Sequence, residues 1–318
     1  MPDAPRLLLI VNPAAGGGRP ARLVRAVTER LEAAGAEVRL ARTRGPGHAR
    51  SLARDAAPWA DVVVAVGGDG TVNEVATGLV DVPDAERTPD FSVIPAGTGN
   101  DFVRAAGIAR TPDGLASGLL DRDARKLDVG RVRWEGDGRS GEACFFNALG
   151  AGLDAEVAYD AGRRKRLGTR WSGILAYAAG VASAMRRLDC PDARIVGGVG
   201  EGDGVLHDGP VLMAAIGNGP WVGGGFHLAP GADLSDGALD ACLVRGTTRR
   251  RATVLLPAAM RGRHVDAPEV TLQRVDHLAA TFARPVRVHV DGEVLPVPVG
   301  RLAIRLEAAR LRVRGGSA

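Results

Sequence analysis

Residues 61–80 read DVVVAVGGDGTVNEVATGLV, and the fold turns on this stretch. Val62–Val66 is a short continuous apolar run, which predicts a fully buried strand of a parallel sheet. Gly67, Gly68 and Gly70 then strip side chains from a tight turn, so that backbone can approach a ligand closely. A helical pattern follows, opened by Thr71, with Glu74 three residues later in the arrangement of a capping box. Strand, glycine turn and helix start together form an anion site, because free N–H groups and the positive end of the helix dipole face the loop. Asp69 lies inside that loop, where a carboxylate would repel a phosphate, and a Mg²⁺ ion between the two reconciles them. No Lys follows the glycines, so the loop is not a Walker P-loop. A tight strand-to-helix turn without any ligand is the competing reading, and the rest of the chain has to decide.

Upstream, Leu7–Val11 predicts a first buried strand, and Asn12-Pro13-Ala14-Ala15-Gly16-Gly17-Gly18 a glycine-rich turn. A helix begins at Pro20, carries Leu23, Val27 and Leu31 on one face and stops at Gly35. Val38–Leu40 is a second strand with Thr43 just past its end, and His48–Ala57 a second helix. This βαβαβ rhythm predicts a doubly wound parallel sheet, whose ligands bind beyond the carboxyl ends of the strands. Asn12, Thr43 and Asp69 all fall there. Downstream, Phe91–Ile94 is a further strand, and Pro95-Ala96-Gly97-Thr98-Gly99-Asn100-Asp101-Phe102 another glycine turn of the same polarity. Asn100 and Asp101 either add oxygen ligands or simply start a helix, since both residues favour such turns for local reasons.

From about Leu127 the character changes. Val129–Trp134 alternates, Gly136–Gly141 reads as a hairpin turn, and Phe145–Leu149 as another strand. Glycine-rich, β-like pieces then dominate, predicting a second, mainly antiparallel β domain. The exception is residues 163–188. There WSGILAYAAGVASAMRRL (171–188) has a helical pattern and follows Arg163-Arg164-Lys165-Arg166. A basic-flanked helix of this kind either touches an anionic membrane surface or packs as an ordinary domain helix with solvated charges. In ADLSDGALDA, Asp233, Asp236 and Asp240 have the spacing of a hard-cation site or of a plain Asp-Gly turn. Val286, Val288 and Val290 alternate with Arg287, His289 and Asp291, predicting a half-buried strand. It leads to Asp291-Gly292-Glu293, where Glu293 is either a general base at the tip of a strand or a solvated residue. Leu302, Ile304 and Leu306 form a last alternating strand.

Composition bounds these readings. With 318 residues the chain holds about two domains and can bury a sizeable core. Aromatic residues make up only 4%, which argues against base-stacking recognition of nucleic acid. Cys144, Cys190 and Cys242 are far apart and lack metal-ligand spacing, as expected of small hydrophobes in a reducing cytoplasm. There is no signal-peptide pattern and no apolar run of membrane-spanning length. The net charge of +4 leaves anionic lipid and phosphorylated ligands as candidate partners, although the arginine bias also fits a GC-rich coding sequence. Oligomeric state is not readable, and a homodimer is compatible with everything above.

Taken together, the pieces resemble the diacylglycerol kinase catalytic family, specifically its soluble bacterial lipid kinases, over nearly the whole length. The resemblance is carried by NPAAGGG from Asn12, Thr43 with the GHA that follows, VGGDGTVNEVATGL, PAGTGNDFVRAAGI, LDVGRV around Asp128, FFNALGAGLDAEV, GNGPWVGGGFHLAPGADLSDGALD and VDGE. GGDG alone is shared with NAD kinases and phosphofructokinases; the GTGND element and the later glycine and DGE elements separate this family from NAD kinases. The resemblance implies an N-terminal α/β nucleotide-binding domain over residues 1–128, to which residues 302–318 return, and a C-terminal antiparallel β-sandwich over 129–301, with catalysis in the cleft between them. It implies that ATP contacts Asn12, Thr43, Gly67, Gly68, Asp69, Gly70, Thr71, Val72, Asn73 and Thr98. Asp69, Asp101 and Asp128 match aspartates that organise Mg²⁺ through water, and Glu293 matches the base that takes the proton of the lipid hydroxyl. A second, structural Mg²⁺ would use the Asp236 carboxylate and the carbonyls of Asp233 and Ala238. Asp233 stands where relatives often carry an apolar residue; the ligand there is a carbonyl. The expected reaction is phosphorylation of diacylglycerol to phosphatidate by a cytoplasmic enzyme that visits the membrane surface peripherally. A sphingoid base, ceramide, monoacylglycerol or phosphatidylglycerol would keep the chemistry and change the lipid. An NAD kinase and a non-catalytic binding protein are the remoter readings.

Overall fold

The computed structural model describes residues 4–18, 20–83, 88–121, 123–166 and 173–315. Trp171 and Ser172, at the start of the helix expected over 171–188, and the side chains of Arg164, Lys165 and Arg166 lie outside the described residues. The chain forms two compact units, Met1–Asp128 with Ala308–Ala318, and Val129–Glu307.

In the first unit the order is β1 (Arg6–Val11), α1 (Pro20–Ala33), β2 (Glu37–Arg42), α2 (His48–Asp55), β3 (Val62–Gly67), α3 (Asp69–Val80), β4 (Asp90–Pro95), α4 (Asp101–Ala105) and α5 (Pro112–Leu120). β2, β1, β3 and β4 lie side by side in that order, all parallel. Every residue of β3 is buried, as a strand covered on both faces must be, and this is why its sequence runs apolar without alternation. The strand order reverses direction between β1 and β3, so the crevice beyond their carboxyl ends is where a ligand belongs. Packing of α2 on α3 depends on Gly78, where a Cβ would lie 2.3 Å from the Arg50 carbonyl oxygen.

Two local expectations fail in informative ways. The capping box at Thr71 and Glu74 does not form: α3 starts two residues earlier, capped at Gly68 without a side-chain hydrogen bond. Glu74 instead accepts the N–H groups of Gly47 (2.9 Å) and Ala49 (3.1 Å), serving the start of α2 rather than of its own helix. α5 is absent from the sequence reading, although Thr111 caps it through the Gly114 N–H and Pro112 occupies its first turn.

The chain returns to this unit at its end. The Asp90 carboxylate, buried at the start of β4, accepts from Arg312 and Arg314, each at 2.6 Å, and Val313 pairs with Phe91. Arg314 is itself buried, and among the described residues its guanidinium otherwise reaches only the Leu119 carbonyl. Removing Asp90 strands that guanidinium, so Asp90→Ala is expected to destabilise this unit by about 3–5 kcal/mol, measured by urea unfolding of the full chain against wild type.

The second unit opens with β5 (Arg125–Gly136, entering from the first unit) and β6 (Arg139–Phe145). They are joined by Asp137 and Gly138, both at positive φ, the requirement of a two-residue hairpin. Then come β7 (Ala148–Gly152), α6 (Leu153–Arg166), α7 (Gly173–Arg186), β8 (Asp192–Gly198), β9 (Gly204–Gly217), β10 (Leu239–Arg245), α8 (Arg249–Ala259), β11 (Val270–Val275), β12 (His277–Val286), β13 (Val288–Val290), β14 (Glu293–Val294) and β15 (Val299–Val313). β5 with β6, β7 with β9 and β13, β8 with β9 and β12, β10 with β9 and β11, β12 with β15, and β13 with β14 all pair antiparallel. β9 works twice: residues 204–210 pair with β8, and residues 211–217 with β7 and β10. Between the layers lies a core of Val132, Phe145, Leu149, Ile195, Ile216, Leu243, Leu278 and Ile304. A second cluster packs the other face of β9 and β10 against Phe226, Leu228 and α8.

Three readings are corrected here. Phe145–Leu149 is not one strand; it breaks at Phe146 and Asn147, where a distant carboxylate takes the backbone N–H groups. Val288, His289 and Val290 are all buried, so the strand is covered on both faces rather than half-buried. Residues 302–305 pair with β12, and the stretch belonging to the first unit begins at Ala308 rather than at 302.

Candidate active site

In the first unit the candidate residues gather on loops beyond the strand ends. Asn12 follows β1; its Nδ2 donates to Thr71 Oγ1 at 2.9 Å and its Oδ1 accepts the Ala14 N–H at 3.0 Å, tying the first glycine turn to the start of α3. Thr43 follows β2, with its N–H on the Val11 carbonyl at 2.9 Å. The glycines between β3 and α3 are there for proximity. A Cβ on Gly67 would lie 2.4 Å from Thr71 Oγ1, and one on Gly97 would lie 2.5 Å from the Gly68 Cα. Two glycine turns therefore touch backbone to backbone, leaving no room for side chains between them.

Asp69 fastens the two turns. Its Oδ2 accepts the Asn100 N–H at 3.0 Å and its Oδ1 the Asp101 N–H at 3.1 Å, while Asn100, at φ 53°, returns its Nδ2 to the Gly97 carbonyl at 2.9 Å. Each Asp69 oxygen still carries a second lone pair for another donor or a cation. Asp101 is buried and pairs with Arg104 at 3.1 Å. Asp128 is buried and accepts the Ala309 N–H at 2.7 Å, at the point where the chain leaves and re-enters this unit. Val72 is buried, Asn73 accepts from Thr77 Oγ1, and Thr98 is exposed on the turn after β4. Among the described residues no three His, Cys, Asp or Glu side chains stand close enough to hold a metal by themselves. The free lone pairs of Asp69 are hard oxygen donors of the kind that would suit a Mg²⁺ that keeps several waters and takes its remaining ligands from phosphate.

In the second unit the DGE turn is built with care. Asp291, at φ 47°, accepts three backbone N–H groups, those of Phe146, Asn147 and Ala148, each at 2.9 Å, and donates its own N–H to the Ala148 carbonyl. This carboxylate, far away in sequence, is what splits the strand expected at 145–149. The Gly292 N–H donates to His289 Nδ1 at 3.2 Å, which places the ring proton on Nε2, 3.3 Å from Asp154 Oδ2. Glu293 follows, exposed at the start of β14. Asn147 donates to the Trp221 carbonyl and Asn218 to the Phe146 carbonyl at 2.9 Å, tying the glycine-rich 217–226 passage to the same turn.

An apolar pocket with a cavity volume of about 100 Å³ lies in this unit, walled by α6, α7, α8, β9 and β10. Leu153, Val157, Leu212, Phe226, Leu255 and Val270 line it, and its few polar contributors are Asp154, His264 and His289. Gly292 also belongs to its wall, so the pocket reaches the turn that carries Glu293. Burial holds the His264 imidazole below its ordinary pKa, hence neutral, and pushes the neighbouring Cys242 thiol up to about 12, hence unreactive.

The 233–240 turn is arranged differently from the two sites above. The Asp236 carboxylate meets Arg274 at 2.5 Å and the Ala238 N–H at 3.1 Å, and the Asp233 carboxylate closes on Ser235. Arg274 already neutralises Asp236, so a cation coordinated there would have to displace it. Sequence reasoning did not find Asp291, His289, Asp154, Asn147 or Asn218. The first two stood in view beside Glu293, but nothing local shows that their side chains turn inward.

Residues 6–132 match the model of the diacylglycerol kinase catalytic domain, and residues 147–313 that of the YegS C-terminal NAD kinase beta sandwich-like domain. The chain is 29% identical over 291 residues to a diacylglycerol kinase of Bacillus subtilis, covering 91% of this chain and 89% of that one. It is 31% identical over 268 residues to a probable YegS-like lipid kinase of Xanthomonas campestris, covering 83% and 82%. A solved putative diacylglycerol kinase from Bacillus anthracis shares the fold at TM-score 0.73 with 23% identity, covering 97% of this chain and 96% of that one. Yeast NADH kinase shares it more loosely at TM-score 0.53 with 11% identity, covering 98% and 83%. No helix of the described residues is long and apolar enough to cross a membrane. With both family models matched in order across the two units, and a lipid kinase relative at 31% identity, the chain belongs to the diacylglycerol kinase family of lipid kinases.

Proposed function

We propose that this enzyme transfers the γ-phosphoryl group of ATP to the free hydroxyl of diacylglycerol, giving phosphatidate. The observation that carries the lipid half of this reading is the apolar pocket whose wall includes the DGE turn. An acyl chain seated there runs toward the turn that bears Glu293, and a soluble nucleotide such as NAD has no use for such a lining.

Phosphoryl transfer asks a protein mainly for positioning and charge neutralisation. In the first unit, the touching glycine turns present backbone N–H groups with no side chains to keep phosphate away, and Asn12 and Thr71 fix the shape of the loop. Asp69 holds the two turns in register. Asp69, Asp101 and Asp128 would hold Mg²⁺, which when bound neutralises charge on the phosphates. In the second unit, Asp291 fixes the turn and Glu293 accepts the proton of the attacking hydroxyl.

The direct test supplies labelled ATP and Mg²⁺ with micelles carrying diacylglycerol, sphingosine, ceramide or phosphatidylglycerol in separate reactions. Labelled phosphatidate is expected; label in another of these lipids would replace the substrate while leaving the chemistry in place. The pocket can be tested on its own. Ala158 lines it from α6, and Ala158→Leu adds three carbons to the lining. At about 0.8 kcal/mol per methylene, displacing three methylenes of an acyl chain costs about 2.4 kcal/mol, roughly 50-fold in the preference for long over short chains. Steady-state kcat/KM on dihexanoyl and dioleoyl substrates measures that ratio, and an unchanged ratio would mean that acyl chains do not use this pocket.

A further inference from the structure

α8 has two faces with opposite characters. Ala252, Leu255 and Ala259 are buried and, with Leu256, form one wall of the apolar pocket. On the opposite face Arg250, Val254 and Pro257 follow at the i, i+4, i+7 spacing of a single helical stripe with Arg249 beside them, Met260 and Arg261 come just past the helix end, and all six are exposed. Val254 is 59% exposed and Met260 55%, two of the six large hydrophobic residues left open to solvent in the described chain.

The charge on this face is all of one sign. Residues 249–263 contain Arg249, Arg250, Arg251, Arg261 and Arg263 and no acidic residue. Arg251, on the inner side, is held by Glu269 at 2.7 and 3.0 Å. Among the described residues none of the other four has a carboxylate within ion-pair distance; Arg261 reaches only the Pro257 carbonyl. Arg249, Arg250 and Arg251 also stand in the first turn of a helix with no acid there, where the positive end of the dipole disfavours cations. A solvated surface helix ordinarily mixes the two signs and pairs them one turn apart. Cations stand at the start of α8 and just past its end, on either side of an exposed apolar strip, the pattern of a segment lying in the plane of a membrane interface.

We propose that the outer face of α8 docks this enzyme on an anionic bilayer, with Arg249, Arg250, Arg261 and Arg263 on the headgroups and Val254 and Met260 entering the acyl boundary. The proposal rests on the lipid-kinase reading and adds a place to it. The helix that meets the membrane is the one whose inner face walls the acyl pocket, so an extracted chain has only the thickness of one helix to pass. It also differs from the expectation of a membrane contact at residues 163–188. There Arg187 is engaged by Asp160 and Ser183, and the side chains of residues 164–166 and 173–179 lie outside the described residues.

The binding readout itself needs neither ATP nor turnover. Co-sedimentation of the full-length protein is measured with vesicles of phosphatidylcholine alone and with added phosphatidylserine, at low and high salt. Binding is expected only with phosphatidylserine and should weaken as salt rises. At about 1 kcal/mol per basic residue near such a surface, roughly fivefold each, Arg249→Gln with Arg250→Gln should weaken binding about 25-fold. Val254→Asp with Met260→Asp should abolish it. Both double variants replace exposed residues, and their activity on a dispersed short-chain diacylglycerol should equal wild type, which separates lost docking from lost folding. Binding that is equal on neutral and anionic vesicles, or unchanged in both double variants, overturns the proposal. So does binding lost on Arg186→Gln but kept in the α8 variants. Retention by heparin with indifference to the Val254 and Met260 changes would make the face a general polyanion site and overturn it too. None of these outcomes touches the kinase reading, which label transfer decides by itself.

Discussion

Glu293→Gln is expected to lower kcat by about 10²–10⁴-fold, the range in which a positioned general base contributes, while ATP binding stays at the wild-type level. The substitution is nearly isosteric, and Glu293 is exposed, so no packing is lost. The turn itself is held by its neighbours: Asp291 collects the N–H groups of Phe146, Asn147 and Ala148, and His289 receives that of Gly292. A fall in kcat with unchanged nucleotide affinity therefore reports chemistry at the carboxylate rather than collapse of the turn. If Glu293 is merely a solvated residue beside a tight turn, the variant will match wild type. Steady-state kinetics with saturating lipid, paired with titration of an ATP analogue, separates the two cases.

Gly97→Ala is expected to damage the nucleotide site of the first unit. The new Cβ would sit 2.5 Å from the Gly68 Cα and 3.2 Å from Asn100 Oδ1. The first neighbour is backbone, which cannot rotate away, so the two turns must part. Parting them lengthens the bonds from Asn100 and Asp101 to Asp69, which set the shape of both loops. Forcing a methyl into a closed contact costs about 1–3 kcal/mol, roughly 10–100-fold in ATP affinity if the strain falls on the binding-competent shape. Gly45→Ala is the control, since a Cβ there meets nothing within 4 Å. Calorimetric titration of both variants makes the comparison; equal affinities would mean that the contact of the two turns is dispensable for nucleotide binding.

How much of this was legible in the sequence depended on how local the cause was. The buried strands of the first unit announced themselves because full burial on both faces demands an unbroken apolar run, as in Val62–Val66. The glycine turns were legible because close backbone approach admits only glycine, and the touching of Gly68 and Gly97 is the consequence. Features controlled from far away were not. Glu74 has the spacing to cap its own helix, yet its oxygens go to Gly47 and Ala49. Phe145–Leu149 has the composition of one strand and is cut by Asp291. His289 alternates with valines as a surface residue would and is buried against Asp154. Helices with weak periodicity also escaped: α5 carries two internal glycines, and α8 an internal Pro257 that reads as a breaker but lies exposed on the helix surface.

The same distinction applies to the candidate site. Asn12, Thr43, Asp69 and Asp101 stood out because each ends a strand or opens a helix in a glycine-rich turn. The architecture behind Glu293 and the pocket it adjoins had no linear signature, since its parts come from residues 146–158, 181, 212–228, 244–270 and 288–292.

The central claim, that this chain phosphorylates a lipid alcohol rather than a soluble nucleotide, is tested most directly by competition in one vessel. Wild-type protein receives limiting γ-labelled ATP with Mg²⁺, mixed micelles of diacylglycerol and an equal concentration of NAD, and the label is followed into the organic and aqueous phases. The account predicts label in phosphatidate and none in a phosphorylated dinucleotide. Label confined to the dinucleotide would contradict it.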